Sequence, residues 1–252
     1  MATPRIELVD VHKSFGAKRV LAGVSLAVLP GESLVIIGGS GTGKSVTLKC
    51  MLGILTPDKG QVLIDGVADD RTNRAAFLAD FGMLFQSGAL FDSLTVWQNV
   101  AFRLRQGPAR LGRAEARARA IDKLARVGLA PETADLYPAE LSGGMQKRVG
   151  LARAVATDPH VIFFDEPTAG LDPIMAGVIN ALIRELVTEM GATAVTITHD
   201  MTTVRAVADN VAMLHDGLVR WHGPVAEMDT SPDPYLQQFI HGRAEGPIET
   251  VR

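Results

Sequence analysis

Residues 33–45 read Ser-Leu-Val-Ile-Ile-Gly-Gly-Ser-Gly-Thr-Gly-Lys-Ser, and this segment is the strongest indication of the fold. Its first five residues form an apolar run, which predicts a strand buried on both faces of a sheet. The residues that follow predict a helix from Gly43 to about Leu55, ending before Thr56-Pro57. Between strand and helix, residues 38–45 fit the pattern G-x-x-x-x-G-K-S, which holds phosphate groups in this structural context.

The glycine-rich loop is predicted to bind the phosphates of a nucleotide. Glycines let the backbone approach an anion closely, and the N–H groups at a helix N-terminus favour negative charge. Lys44 is expected to reach the β and γ phosphates, and the Ser45 hydroxyl to ligate Mg²⁺. The alternative, a turn that only caps a helix, gives no reason for Lys and Ser after the last glycine. The predicted nucleotide-binding residues of the loop are Gly38, Gly39, Ser40, Gly41, Thr42, Gly43, Lys44 and Ser45.

The composition narrows the classes of function. The 252 residues suffice for one sizeable core with a smaller inserted subdomain. Apolar stretches fall short of the roughly 18 residues that a membrane-spanning helix needs. The net charge of −3 disfavours a nucleic-acid partner. The single cysteine, Cys50, is predicted to be a buried, inert thiol, and the N-terminus lacks the apolar core of a signal peptide, so we expect a cytoplasmic protein.

Strands and helices alternate outside one helix-rich region, which predicts an α/β fold with a parallel sheet. Strands are expected at residues 6–9, 24–28, 161–164 and 194–198, with a long helix over about 174–190. From residue 87 to about 150, Ala- and Arg-rich stretches alternate with Gly and Pro, which predicts an inserted helical subdomain. The predicted segments are 1–87 for the first part of the core, 88–158 for the helical subdomain, 159–229 for the second part of the core and 230–252 for a C-terminal helix and tail.

Two acidic residues follow the apolar run at residues 161–164. Asp165 is expected at the carboxyl end of a buried strand, where open α/β sheets bind ligands, and we predict that it holds Mg²⁺. Glu166 is predicted to accept a proton from the water that attacks the γ phosphate. The alternative is that both acids only cap a helix after Pro167-Thr168.

A second anion-compatible helix start lies at Leu-Ser-Gly-Gly-Met-Gln, residues 141–146. Ser142, Gly143 and Gly144 precede a helix with periodic apolar residues, so its N-terminal N–H groups are predicted to face a phosphate. One chain with one nucleotide loop and a second such helix start suggests that the second serves the ATP of another copy. The alternative is an ordinary serine N-cap.

Taken together, these motifs resemble those of the ATP-binding cassette (ABC) ATPase family over nearly the full length of the chain. The resemblance implies a P-loop cassette with a mixed-sheet core, an N-terminal antiparallel β subdomain and an inserted α-helical subdomain. It also implies that Gln86 contacts Mg²⁺ and senses the γ phosphate, that His199 contacts the γ phosphate and that Phe15 stacks on adenine. Other interpretations are a polar loop residue for Gln86, a structural role for His199 and core packing for Phe15. Asp172, in the segment that matches the family's D-loop, either organises a dimer interface or caps the helix at Pro173.

The chain resembles the Mla-type branch of this family in three segments: Phe-Gln-Ser-Gly-Ala-Leu-Phe at residues 85–91, Pro-Asp-Pro at residues 232–234 and Gln-Phe-Ile-His-Gly at residues 238–242. This branch comprises the ATPases of bacterial phospholipid transporters that work with MCE-domain proteins. The resemblance implies two copies beneath an integral-membrane permease at the cytoplasmic face of the inner membrane, phospholipid as cargo, and a STAS-domain regulator. Leu90 and Phe91 are candidate anchors for the permease, unless they pack beneath the subdomain. The residues 235–252 would reach the neighbouring ATPase, unless the terminal helix packs on its own chain. Alternatives for the whole protein are an ABC ATPase with another transport substrate or a soluble, non-transport one.

Overall fold

The computed structural model describes residues 2–69, 71–106 and 110–249. The chain divides into two compact units, one formed by Met1–Leu78 with Val195–Arg252 and the other by Ala79–Ala194. Within the described residues, no helix is long and apolar enough to cross a membrane.

An antiparallel sheet forms the first part of the first unit. Its strands are β1 (Ile6–Phe15), β2 (Lys18–Val28), β4 (Lys59–Ile64) and β5 (Val67–Ala68), in the order β2-β1-β4-β5. The first two strands are longer than the alternating pattern predicts. The pairing of β1 with β2 shifts register between Leu8 and Val11, next to the left-handed Asp10 at φ 48°, and such a bulge interrupts the two-residue period.

The remaining strands of the first unit position the glycine-rich loop at residues 38–45. Strand β3 (Ser33–Ile37) is buried at every position, as predicted, and runs parallel to β9 (Asn210–His215). Strand β10 (Leu218–Pro224) pairs with β9 in the antiparallel sense, so the sheet is mixed rather than parallel. Strand β8 (Thr193–Ile197) enters this unit at Val195, and the N–H of Thr198 donates to Ile36 O.

Helix α1 (Lys44–Met51) follows the loop and is shorter than predicted. It ends at Met51 because Gly53 adopts a left-handed φ of 66°, and the Gly53 N–H donates to Cys50 O. Cys50 is buried, as predicted, and burial raises the pKa of its thiol to about 11. The thiol therefore stays protonated near neutral pH. The other helices of this unit are α2 (Arg71–Ala79), which ends at the unit boundary, α7 (Met201–Val207) and α8 (Pro234–Ile240).

The second unit combines two parallel strands with most of the helices. Strand β6 (Phe81–Leu84) pairs with β7 (Val161–Asp165), and the N–H of Thr193 at the start of β8 donates to His160 O. The helices are α3 (Val96–Val100), α4 (Arg113–Arg126), α5 (Gly143–Ala154) and α6 (Pro173–Met190). Helix α4 confirms the predicted Arg- and Ala-rich helix and buries one stripe, Ala116, Ala120 and Leu124. The predicted breaker at Gly107-Pro108 lies outside the described residues.

The C-terminal helix α8 packs on its own unit. The Tyr235 ring lies 4.8 Å from that of His215 and 4.3 Å from the Arg220 guanidinium. Gln238 is buried and bonds both backbone groups of Ile248, at 2.6 Å to N and 3.1 Å to O. The self-packed interpretation therefore holds for this helix within one chain, and the reach of the tail toward a neighbouring copy stays a prediction.

Candidate nucleotide site

The glycine-rich loop lies in the first unit, between β3 and α1, and is held close to strand β9. A methyl group at Gly38, where φ is 146°, would lie 2.4 Å from Leu214 O. One at Gly43, where φ is 106°, would lie 2.7 Å from the Leu21 side chain. Only glycine satisfies both the backbone angles and these close approaches. At Gly41 the corresponding position is open, so this part of the loop leaves room for a ligand.

Lys44 lies across the loop that precedes it. Its Nζ donates to the carbonyl oxygens of Gly38 at 2.6 Å and Gly39 at 2.8 Å. Ser45 is exposed in the first turn of α1. The ammonium and the hydroxyl are therefore placed at the helix N-terminus, where backbone N–H groups attract an anion.

A groove of about 320 Å³ extends from the loop to Phe15. Its volume is within the range of ligand sites, and Phe15 is 49% exposed, so the core-packing interpretation of Phe15 is wrong. The groove is lined by Phe15, Lys18, Val20, Gly41, Gly43, Lys44, Ser45 and Val46. One groove thus joins an exposed aromatic ring to the predicted phosphate loop.

The end of β1 that carries Phe15 is fixed by Asp58. One carboxylate oxygen accepts from Lys13 Nζ at 2.7 Å and the other from the Ser14 N–H at 2.7 Å. These two hydrogen bonds, from Lys13 and then from Ser14, hold the pKa of Asp58 below its usual value. Lys13 also donates to Thr56 O at 2.8 Å, which connects the strand end to the segment that follows α1.

His199 is exposed two residues after the end of β8, in the first unit. The residues on either side of it fix the local turn. The Asp200 N–H donates to Thr198 Oγ1 at 3.0 Å, and the Asp200 carboxylate caps α7 by accepting from the Thr202 N–H at 2.9 Å. The backbone of His199 is thereby held at the carboxyl end of the strand.

In the second unit, Asp165 ends strand β7 and Glu166 follows it in a left-handed conformation with φ 46°. Such a conformation costs of order 1–3 kcal/mol in a residue other than glycine. It turns the chain sharply at the strand end, and the Ala169 N–H donates to Glu166 O at 3.2 Å. The capping interpretation of this acidic pair is wrong, because the next helix, α6, begins only at Pro173.

Gln86 is exposed two residues after the end of β6, also in the second unit. Its backbone carbonyl accepts a hydrogen bond from Lys147 Nζ, and Lys147 also donates to Glu166 O at 3.3 Å. Burial lowers the pKa of Lys147, against the opposing effect of the Asp165 and Glu166 carboxylates. Sequence reasoning missed Lys147. The available signal was a lysine in a helix whose other buried residues are small or apolar.

Ser142 is the N-cap of α5, and its Oγ accepts from the Met145 N–H at 3.3 Å. Ser142 and Gly143 are exposed, whereas a methyl group on the buried Gly144 would lie 2.8 Å from the Met175 side chain. Asp172 caps α6 through two N–H groups, each at 3.0 Å. Both capping roles are thus confirmed, and the roles of Ser142 and Asp172 toward a second copy stay predictions.

The described residues contain no group of three or more His, Cys, Asp or Glu side chains that could hold a metal ion. The predicted ligands Ser45, Gln86 and Asp165 remain a prediction.

A glycine loop between a buried strand and a helix, and an acidic pair at the end of another strand, define the class of P-loop nucleotide hydrolases. The family model described as ABC transporter matches residues 21–169, and the chain belongs to this family. The chain is 40% identical to the intermembrane phospholipid transport system ATP-binding protein MlaF of Escherichia coli K12, over 96% of this chain and 91% of that protein. It is 42% identical to the chloroplastic protein TRIGALACTOSYLDIACYLGLYCEROL 3 of Arabidopsis thaliana, over 96% of this chain and 75% of that protein.

A third relative is the probable ribonucleotide transport ATP-binding protein mkl of Mycobacterium tuberculosis, 41% identical over 96% of this chain and 68% of that protein. Among solved structures, the ATP-binding cassette MJ0796, a dimer with ADP and Pi, matches with a TM-score of 0.78 and 32% identity, over 87% of this chain and 98% of that one. The cbiO1 protein of Clostridium perfringens, part of the cbiONQ transporter complex, matches with a TM-score of 0.81 and 31% identity, over 91% of this chain and 92% of that one. The predicted ABC cassette fold and ATPase class are confirmed.

Proposed function

We propose that this protein is the ATP-hydrolysing subunit of a transporter that moves phospholipids between inner and outer membranes and so maintains lipid asymmetry of the outer membrane. The observation that carries the proposal is the 40% identity to the Escherichia coli intermembrane phospholipid transport protein, which this chain matches over 91% of its length. The mycobacterial relative named for ribonucleotide transport is matched over 68% of its length. The chain therefore covers more of the phospholipid transport protein than of the protein named for ribonucleotide transport.

In the proposed reaction, Phe15 stacks on adenine, the loop at residues 38–45 holds the phosphates and Lys44 neutralises charge on the β and γ phosphates. Ser45, Gln86 and Asp165 would hold Mg²⁺, which would supply neutralisation of the phosphate charge. Glu166 accepts the proton of the attacking water, and His199 contacts the γ phosphate. The groove between Phe15 and the loop supports the nucleotide-binding part of this proposal.

We further propose that two copies bind two ATP molecules, each site being completed by Ser142, Gly143 and Gly144 of the other copy. The dimeric solved structure of a related cassette with ADP and Pi supports this arrangement. In the chain itself, Ser142 and Gly143 are exposed at a helix N-terminus, as a contact with a second copy's nucleotide requires.

Replacing Ser142 is expected to impair hydrolysis in the partner's site rather than in the same chain's site. In a mixed dimer of Ser142→Arg with Lys44→Ala, one copy has a damaged helix start and the other a damaged loop. If the sites are shared, both defects fall on one composite site and the other site stays intact, so turnover reaches about half that of the wild type. Turnover near zero in purified mixed dimers would show that each chain uses its own Ser142.

The surface proposed to contact the permease lies in the second unit. Phe91 is 44% exposed and stacks on Phe102, which is 36% exposed, with ring centroids 4.7 Å apart. A pocket of about 270 Å³ adjoins this pair, lined by Leu94, Gln98, Phe102, Arg105 and Gln106. Exposed aromatic rings beside a pocket are typical of protein contact sites, which supports a membrane partner here. An MCE-domain protein and a STAS-domain regulator complete the proposed complex, at the cytoplasmic face of the inner membrane.

Affinity purification of the tagged chain from detergent-solubilised cells is expected to recover an integral-membrane permease with bound phospholipid. The substitution Phe91→Ser is expected to lower the recovered permease at least several-fold, whereas Val67→Ser, at an apolar residue 57% exposed in the antiparallel sheet of the other unit, leaves it unchanged. Mass spectrometry of the bound small molecules separates phospholipid from ribonucleotide. Recovery without any membrane protein would contradict the transport function, and a permease with a different cargo would contradict the phospholipid proposal.

A further inference from the structure

Helix α5 carries two cations that bond the backbone of the segment at residues 86–89, which we call the Gln86 loop. Arg153 donates to Gly88 O at 2.6 Å and to Ala89 O at 2.7 Å. Lys147, six residues earlier on the same helix, donates to Gln86 O. Three carbonyl groups of the loop are therefore held by one helix, so the loop backbone is tied to α5.

Lys147 also bonds the turn that carries Glu166. Its Nζ lies 3.3 Å from Glu166 O, the same oxygen that accepts from the Ala169 N–H. These two donors hold the carbonyl in the direction that the left-handed backbone of Glu166 gives it. Lys147 is only 5% exposed, so water does not readily replace it as a donor to either carbonyl.

The two segments that Lys147 bonds follow neighbouring strands. In the pairing of β6 with β7, Leu84 lies opposite Phe164. Gln86 and Glu166 each come two residues after this pair in the chain, just beyond the ends of the two strands. One ammonium group thus fixes the spacing between the two strand ends from which Gln86 and Glu166 extend.

We propose that Lys147 is a positioning residue for ATP hydrolysis, which sets the relative placement of Gln86 and Glu166 by holding the backbone of both. The inference rests on the roles proposed above for these two side chains. Lys147 itself is assigned no contact with the nucleotide. Because hydrolysis depends on the placement of the reacting groups, loss of this contact acts on kcat, whereas the loop at residues 38–45 and Phe15, which the proposed function assigns to ATP binding, are unaltered.

The test is Lys147→Met, a side chain of similar length without the charge or the donors. We expect kcat to fall between about tenfold and 100-fold, with KM for ATP within about threefold of the wild type, since small misplacement of reacting groups costs up to roughly 100-fold in rate. The matched control is Lys123→Met. Lys123 is equally buried, at 4% exposure, and bonds Asp158 away from the Gln86 loop. Its replacement is expected to lower thermal stability with kcat unchanged per folded molecule.

If Lys147 has a purely structural role, Lys147→Met and Lys123→Met both have a lowered thermal midpoint and the same kcat per folded molecule. This result would overturn the proposal. If Lys147→Met does not fold, Lys147→Arg and Lys147→Gln replace it. Arginine keeps the cationic donors, so Lys147→Arg is expected to retain a higher kcat than Lys147→Gln. A wild-type kcat in both variants would overturn the proposal.

The double variant Lys147→Met/Gln86→Ala is expected to lose less rate than the product of the two single losses, because both substitutions act through one loop. If the loss of rate in the double variant equals the product of the two single losses, Lys147 does not act through the placement of Gln86.

Measuring Glu166→Gln in the same series separates this inference from the proposed function. If Glu166→Gln keeps wild-type turnover, Glu166 is not the proton acceptor. In that case hydrolysis does not depend on the placement of Glu166 by Lys147. If Glu166→Gln is inactive while Lys147→Met turns over ATP at the wild-type rate, the assignment of Glu166 stands and only the role of Lys147 is overturned.

Discussion

Glu166→Gln is expected to lower ATP turnover by about 10²- to 10⁴-fold while ATP binding is retained, because general-base catalysis contributes a factor of this order. Glutamine keeps the size of the side chain and loses only the group that accepts the proton. The measurement is steady-state ATPase activity beside equilibrium binding of ATP. With ATP bound and not hydrolysed, we expect the variant to accumulate as a dimer in size-exclusion chromatography.

Glu185→Gln is the matched control for this prediction. Glu185 is an exposed glutamate on α6, in the same unit as Glu166. Its replacement makes the same change of charge and is expected to leave turnover at the wild-type value. Turnover of Glu166→Gln equal to that of this control would show that another group accepts the proton.

Lys44→Ala is expected to weaken ATP binding between about tenfold and 100-fold. Hydrogen bonds that involve a charged group contribute about 1.5–3 kcal/mol, which corresponds to this range in affinity. In the structure, the ammonium of Lys44 bonds the carbonyls of Gly38 and Gly39, so it is already held at the loop that is predicted to bind the phosphates. Isothermal titration calorimetry with ATP in the presence of Mg²⁺ measures the effect.

Lys49→Ala is the matched control, since Lys49 is an exposed lysine further along the same helix. It is expected to leave the affinity for ATP unchanged, with the thermal midpoint close to the wild type in both variants. An unchanged affinity in Lys44→Ala would mean that Lys44 does not contact the phosphates in the bound state.

Local sequence patterns were sufficient where a feature depends on consecutive residues. The apolar run at Ser33–Ile37 predicted a strand buried at every position, and the helix caps at Ser142 and Asp172 follow from a side chain and the N–H groups two or three residues later. The end of α1 was predicted too late, because the left-handed turn at Gly53 overrides the apolar pattern that continues past it. The length of β1 was underestimated for a similar reason, since the bulge beside Asp10 breaks the alternation on which the prediction depends.

The positions of the glycine-rich loop and of the acidic pair, and with them the class of enzyme, can be predicted from the sequence alone, because each motif consists of consecutive residues. Tertiary packing, by contrast, sets the exposure of Phe15 in the groove of the loop, the left-handed backbone of Glu166 and the hydrogen bonds of Lys147 to Gln86 and Glu166. Lys147 is 61 positions from Gln86 in the chain and 19 from Glu166. Their contact depends on the pairing of β6 with β7 and on the packing of α5, and no local pattern encodes such long-range packing.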